Sequence, residues 1–253
     1  TNAGKTTLAR TLVGRDVGEV RDAPHVTLEA AAYPLIDTPE GDELLLWDTP
    51  GFGDSARLAR RLGQQGNPVG WFLSQVWDRF RDRAFWHSQQ AVRNVRDRAD
   101  VVLYLVNASE APEDAGYLGP ELAVLEWIGK PLIVLLNQTG RPRPRADEAA
   151  DEARWRAALG PRPIIRAVAT LDAFARCWVQ EIALLDFVGD ALPVERRAPF
   201  GRLVAAWQAR RQAQFDSAMA VLAVPIAEAA RDRESVPDAG VKGVLREFGR
   251  SLG

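Results

Sequence analysis

Two apolar runs, VVLYLVN at 101–107 and PLIVLLN at 131–137, constrain the fold of this chain more than any other feature. Both are rich in aliphatic residues and lack polar alternation, which is typical of a strand covered on both faces. The segment between them, ELAVLEWIG, has helical spacing and ends at Gly129. A strand, a helix and a second strand in this order predict a right-handed crossover and a parallel sheet.

The same alternation extends along the chain. We predict a charged helix over Ala146–Leu159, a strand over PIIRAVAT, and a helix over Leu171–Val188. Two extended segments, Ala31–Ile36 and Glu43–Trp47, flank the turn TPEGD and predict a hairpin. An amphipathic helix is predicted within 71–97. We therefore expect an α/β fold with a mostly parallel sheet, flanking helices and one antiparallel strand.

The opening stretch TNAGKTTLAR matches the end of the phosphate-binding pattern G-x-x-x-x-G-K-[ST] at Gly4, Lys5 and Thr6. In this pattern N–H groups at a helix N-terminus surround phosphate, the lysine adds charge, and the hydroxyl ligates Mg²⁺. The predicted nucleotide-binding residues here are Asn2, Ala3, Gly4, Lys5, Thr6 and Thr7. An ordinary Gly-Lys-Thr helix start is the alternative. The first glycine of the pattern would precede Thr1, so we expect a chain truncated within the loop that lacks the strand leading into it.

A second motif, LLLWDTPGFGD, follows the hairpin. Asp48 ends an apolar strand, and Gly51 completes the D-x-x-G spacing of a nucleotide switch. We expect Asp48 to hold the Mg²⁺ shell and the Gly51 N–H to meet a γ-phosphate, although DTPG is also good turn chemistry. Thr27, the only threonine in the loop 15–30, is our candidate for closing over Mg²⁺ and γ-phosphate; a surface threonine is the alternative. Lys5, Thr27 and Gly51 are thus the predicted catalytic groups.

The order of these motifs resembles the translation-factor class of small GTPases. TNAGKTTL is similar to the N-x-G-K-[ST]-[ST]-L of its Era and tRNA-modification GTPase branch. LLNQTG and LDAFARCWVQE resemble a bacterial subfamily in which an Era-like G domain precedes a domain of unknown function. The resemblance implies a P-loop NTPase G domain over 1–192 and the helical start of a C-terminal domain over 193–253. It also implies GTP binding and slow Mg²⁺-dependent hydrolysis that drives a conformational switch.

The base-reading motif departs from the N-K-x-D of that class. In NQTG, Asn137 matches, while Gln138 replaces the lysine and Gly140 replaces the aspartate that accepts two hydrogen bonds from guanine. A site that lacks such partners loses specificity, so an ATPase with relaxed base choice is an alternative to GTP. Ala169 and Thr170 in VATLDAF are candidates to offer N–H groups to the base; a strand-to-helix turn capped by Thr170 is equally compatible.

Phe52 stands where Ras-like switches carry the glutamine that orients the attacking water. Because a phenyl ring cannot hydrogen-bond water, we expect slow hydrolysis. The resemblance implies that K⁺ assists some members through the asparagine that matches Asn2, and local bracing of the loop by Asn2 is the alternative. A nucleotide-binding scaffold without turnover is the alternative from another class.

Composition limits the partners. A net charge of −2 over 253 residues gives no general attraction to nucleic acid. The single cysteine, Cys177, fits a reducing, cytoplasmic compartment, and no apolar run is long enough to span a membrane. An apolar stripe predicts a long amphipathic helix from about Leu203 to Leu222. We expect a protein partner through the switch loops or these C-terminal helices, and the helix leaves a peripheral membrane contact open.

Overall fold

The computed structural model describes residues 4–14, 31–49, 51–52, 54–63, 83–141, 143–172 and 178–231. The predictions for Asn2, Ala3 and Thr27, and for the first part of the helix within 71–97, lie outside these residues.

Strands and helices alternate as predicted in the described residues. The strands are β1 (Ala31–Asp37), β2 (Glu43–Asp48), β3 (Val102–Asn107), β4 (Leu132–Asn137) and β5 (Ile165–Thr170). The helices are α1 (Lys5–Val13), α2 (Ser55–Gly63), α3 (Arg83–Arg98), α4 (Leu118–Ile128), α5 (Arg145–Leu159), α6 (Trp178–Ala191) and α7 (Val194–Arg231), with a 3₁₀ turn at Pro112–Asp114.

The strands form two sheets. β1 and β2 pair antiparallel as a hairpin, and β3, β4 and β5 form a parallel sheet with β4 in the centre. The predicted α/β architecture is thereby confirmed, and the expected antiparallel strand belongs to a hairpin that forms its own sheet in the described residues. Asn107 pairs with Asn137 at the carboxyl ends of β3 and β4, so the polar residues that end both strands lie at one edge. The strand expected ahead of Thr1 stays a prediction.

Two apolar clusters cover the two faces of the parallel sheet. All six residues of β4 are buried, as the continuous apolar run predicted. On one face Val134 packs in a cluster that includes Trp155 of α5. On the other face Leu135 packs in a cluster with Leu8 and Leu12 of α1. Because α1 is held against the sheet in this way, its N-terminus lies where the strands present their carboxyl ends.

The prediction of a helix over Leu171–Val188 was wrong at its beginning. Leu171 and Asp172 are not helical, and α6 begins at Trp178 in the described residues. Leu171 instead prolongs β5, because its N–H donates to the carbonyl oxygen of Leu136 at 3.1 Å and its side chain is buried in the cluster with α1. Tertiary packing therefore overrides the helical spacing of the sequence here.

The chain divides into two compact units, Thr1–Ala206 and Trp207–Gly253. The predicted boundary near Pro193 coincides with the start of α7 at Val194, and as a domain boundary it stays a prediction. In the first unit Leu203 is buried, whereas in the second unit Phe215 and Leu222 are exposed. The apolar stripe predicted for this helix is thus buried only in part. Among the described residues, no helix combines the length and the apolar character needed to cross a membrane.

Within the first unit, α7 also contacts the β1–β2 hairpin. The guanidinium of Arg202 donates two hydrogen bonds to the carboxylate of Asp42, at 2.7 and 3.0 Å. The Arg202 hydrogen bond is the main cause that lowers the pKa of Asp42. Because the carboxyl pKa is lowered, this pair stabilises the folded state at neutral pH. Its contribution to the free energy of unfolding is lost as the pH falls through that pKa.

A buried tyrosine and glutamate join β3 to α4, and this pair supports a stability prediction. The Tyr104 hydroxyl donates to Glu121 Oε2 at 2.6 Å, and both residues are 7% exposed. Burial, followed by the charge of Glu121, raises the pKa of Tyr104, so the phenol stays protonated. Tyr104→Phe should lower the unfolding free energy by about 1–3 kcal/mol, because Glu121 loses its donor.

Chemical denaturation measures this cost. Tyr33→Phe, on the half-buried β1, is the matched control and should change the unfolding free energy by less than about 0.5 kcal/mol. Equal costs for the two substitutions would contradict a structural role for the Tyr104–Glu121 hydrogen bond.

Candidate functional site

The amino end of α1 is shaped for an anion. Gly4 is the N-cap residue, with a φ of 77° and no side-chain cap, and its carbonyl oxygen accepts the N–H of Leu8 at 2.9 Å. A left-handed conformation favours glycine at this position. The N-cap makes no side-chain hydrogen bond to the first-turn N–H groups, and N–H groups and a helix dipole at such an end are the arrangement that binds phosphate.

Thr6 and Asp48 meet beside this helix end, although they lie 42 residues apart in the chain. The Thr6 hydroxyl donates to Asp48 Oδ2 at 2.7 Å, and Asp48 is only 4% exposed. The fold therefore brings together the two residues predicted to serve Mg²⁺. Mg²⁺ prefers oxygen ligands and is often held by one or two carboxylates together with substrate phosphates. A hydroxyl and a carboxylate oxygen this close fit that requirement.

Gly51 lies next to Lys5. A methyl group built on Gly51 would be 3.6 Å from Lys5 Nζ, so the ammonium group is near the backbone of the D-x-x-G turn. Both residues were predicted from sequence to act on the γ-phosphate. The structure brings these two residues together, as it does Thr6 and Asp48, while Thr27 lies outside the described residues.

Asn137 connects the end of β4 to the phosphate loop. Its side chain is fully buried, and its Nδ2 is 2.7 Å from the position that a Cβ on Gly4 would take. Gln138 follows with a φ of 60°, and its Nε2 is 3.9 Å from that same position. The amides of both residues therefore lie beside Gly4.

Ala169 and Thr170 end β5 at the same edge of the sheet. Ala169 packs against the cluster that contains α1, whereas Thr170 is exposed and pairs with Leu136. Their predicted N–H contacts to a base stay a prediction. Phe52 packs against the other apolar cluster, so this ring has a packing role in the fold.

The sequence reasoning missed the polar turn after β3. Asn107 Oδ1 accepts hydrogen bonds from the N–H of Ser109 at 3.1 Å and from its hydroxyl at 2.6 Å, and Asn107 Nδ2 donates to Glu110 at 2.8 Å. The N–H of Ala108 donates to the carbonyl oxygen of Asn137 at 2.7 Å, which joins this turn to the base-side loop. The available signal was that both buried strands end in asparagine.

The parallel sheet, the glycine-capped α1 and the Lys5, Thr6, Asp48 and Gly51 constellation define a P-loop G domain. Residues 1–138 match the sequence model of the family described as 50S ribosome-binding GTPase. The chain belongs to this family, and the predicted resemblance to Era-like GTPases is confirmed.

The chain is also similar to individual proteins. GTPase Der of Mycolicibacterium vanbaalenii is 29% identical over 193 residues, which is 76% of this chain and 32% of Der. A point variant of Era of Aquifex aeolicus, bound to GDP·AlF4⁻, shares the fold with 18% identity and a TM-score of 0.50, over 76% of this chain and 54% of Era. A structure of Era with MgGDPNP and nucleotides 1506–1542 of 16S ribosomal RNA gives 18% identity, the same coverage and a TM-score of 0.49. The chain thus spans only part of each relative's length.

Proposed function

We propose that this chain is a nucleotide switch that binds GTP with Mg²⁺ and hydrolyses it slowly. The observation that carries the proposal is the 2.7 Å contact between Thr6 and Asp48 beside the glycine-capped end of α1. Membership of a GTPase family supports the choice of reaction. The Era structures are described as bound to GDP·AlF4⁻ and to MgGDPNP, and these nucleotides are examples of the ligands that this fold accepts.

The mechanism that we propose is positioning combined with electrostatic stabilisation. N–H groups of the loop and of the first turn of α1 bind the β-phosphate, and Lys5 places its charge between the β- and γ-phosphates. Thr6 and Asp48 would hold Mg²⁺, which when bound neutralises charge on the transferring phosphoryl group. The Gly51 N–H orients the γ-phosphate, and loss of that phosphate releases the turn, which is the switch. We also propose that Thr27 closes over Mg²⁺ and the γ-phosphate when GTP is bound.

Slow turnover follows from Phe52, whose ring is packed against apolar residues and offers no hydrogen bond to water. We propose that K⁺ compensates in part, held by Asn2. Phosphate release with Mg²⁺ should therefore be faster in KCl than in NaCl, by about 100-fold, the lower end of what one preorganised electrostatic group contributes. Asn2→Ala should remove this difference and leave the rate in NaCl unchanged.

The same assay separates the alternatives. GTP turnover at equal rates in both salts would overturn the K⁺ role, and rapid turnover without K⁺ would overturn the hypothesis that Phe52 makes hydrolysis slow. Binding without any phosphate release would identify a scaffold. Phe52 favours the scaffold, because its ring cannot orient the attacking water. Gly140 favours an ATPase, because it replaces the aspartate that reads guanine. Competition of GTP against ATP tests the base, and preference for ATP would reject the main proposal.

We propose a protein partner that contacts the switch loops or α7. The support is a set of exposed large apolar side chains in the second unit: Phe215, Met219, Val221, Leu222, Val224 and Ile226. We also propose a cytoplasmic location, since the chain has a single cysteine and therefore cannot form an internal disulfide. Contact of α7 with a membrane surface belongs to the same proposal.

A further inference from the structure

The residue that follows Gly51 is attached to the core of the first unit. Phe52 is half-buried and packs against the apolar cluster that contains Val134 and Trp155. Gly51 itself lies beside Lys5, since a Cβ on Gly51 would be 3.6 Å from Lys5 Nζ. The switch turn therefore carries a backbone group of the predicted γ-phosphate site and, one residue later, a side chain that is held by the core.

The helix after the turn is anchored in the same cluster. Leu58 of α2 is 2% exposed and belongs to that cluster, and α2 packs against α4. Asp54 caps the start of α2, because its Oδ1 accepts the N–H of Arg57 at 2.9 Å and its carbonyl oxygen accepts the N–H of Leu58 at 3.0 Å. The Arg57 guanidinium also lies 3.9 Å from the centroid of the buried Phe85 ring. These contacts hold α2 against the core, so a fixed element follows the turn.

The turn is also fixed on its other side. Asp48 is 4% exposed and accepts the hydroxyl of Thr6 at 2.7 Å. Gly51 thus lies three residues after a buried carboxylate and one residue before the packed ring of Phe52. Fixing a backbone residue costs conformational entropy, and a group that is already fixed in the free protein avoids this cost when a ligand binds. The N–H of Gly51 is therefore preorganised by its neighbours.

We propose that Phe52 is a positioning residue for the γ-phosphate. Because its ring is packed in the core, Phe52 holds the Gly51 N–H where GTP needs a donor before the nucleotide arrives. GDP has no γ-phosphate, so it does not use this N–H and gains nothing from Phe52. Phe52 thereby favours GTP over GDP, although its ring cannot orient water. This inference rests on the proposed GTP function and adds the residue that prepares the switch turn.

Equilibrium binding of GDPNP and of GDP, both with Mg²⁺, tests this role. Phe52→Ala removes the anchor, so binding of the γ-phosphate must order the Gly51 backbone. We expect the affinity for GDPNP to fall by about 5- to 30-fold, the cost of fixing one residue, while the affinity for GDP stays within about 2-fold of wild type. Retained GDP binding also shows that the variant is folded. Phe52→Leu keeps an apolar side chain that can pack in the cluster and should restore most of the affinity for GDPNP.

Trp127→Ala is the matched control. Trp127 is a half-buried aromatic residue that packs against the same cluster, but it lies in the last turn of α4 and outside the switch turn. Its truncation removes a comparable contact with the core. It should therefore lower the unfolding free energy without changing the ratio of the GDPNP and GDP affinities.

The ratio of the two affinities decides the outcome. An unchanged ratio in Phe52→Ala, or an equal change in Trp127→Ala, would overturn the inference and leave the GTP proposal intact. A wild-type protein that prefers ATP over GTP in competition would instead reject the GTP proposal itself.

Discussion

Lys5→Ala will lower the affinity for GTP by roughly 100- to 10,000-fold, since charge-assisted hydrogen bonds to two phosphates are each worth about 1.5–3 kcal/mol. The ammonium group lies 3.6 Å from the position of a Cβ on Gly51, so it is placed between the phosphate loop and the switch turn. The substitution should also abolish hydrolysis, because the same charge stabilises the transferring phosphoryl group. Equilibrium binding by fluorescence or calorimetry measures the first effect, and phosphate release measures the second.

Lys130→Ala provides the matched control. Lys130 lies between α4 and β4, at the amino edge of the sheet and thus opposite the strand ends that form the site. It removes the same charge from the same residue type and should leave GTP affinity within about 2-fold of wild type. Similar losses for both variants would mean that Lys5 acts through net charge alone, and the assignment of the phosphate site would fail.

The pattern of apolar residues was sufficient to predict the sheet. Continuous apolar runs predicted β3 and β4, and their ends fell within one residue of those observed, because a short β-rich apolar run is typical of a strand covered on both faces. The hairpin was equally clear, since a turn sequence separates its two extended segments. The helix after β5 was less predictable: Leu171 satisfies a helical stripe, yet it packs against α1 and hydrogen-bonds Leu136 just beyond the end of β5.

The site was predictable in its members but not in its contacts. Motif spacing identified Thr6 and Asp48, and only the fold shows that their oxygens are 2.7 Å apart. The Tyr104–Glu121 hydrogen bond could not be predicted from the sequence, because a glutamate on a helix is ordinarily solvated and its burial depends on tertiary packing.

Gly4→Ala should cause a large loss of stability. The new methyl group would lie 2.7 Å from Nδ2 of Asn137, a side chain with no exposed surface. The left-handed backbone, with a φ of 77°, adds about 1–2 kcal/mol for a residue with a Cβ. Together with about 1–3 kcal/mol for the collision, we expect the unfolding free energy to fall by roughly 2–5 kcal/mol. Denaturant unfolding checks this value.

Gly129→Ala separates strain from collision. Gly129 has a similar φ of 71°, but a Cβ there would meet only the carbonyl oxygen of Glu126 at 3.9 Å. This control should therefore cost about 1–2 kcal/mol, the backbone term alone. In an Asn137→Ala background the cost of Gly4→Ala should fall towards the same value, because the atom that collides has been removed. If Gly4→Ala costs no more than Gly129→Ala in the wild-type background, Asn137 does not support the phosphate loop in the way that the structure indicates.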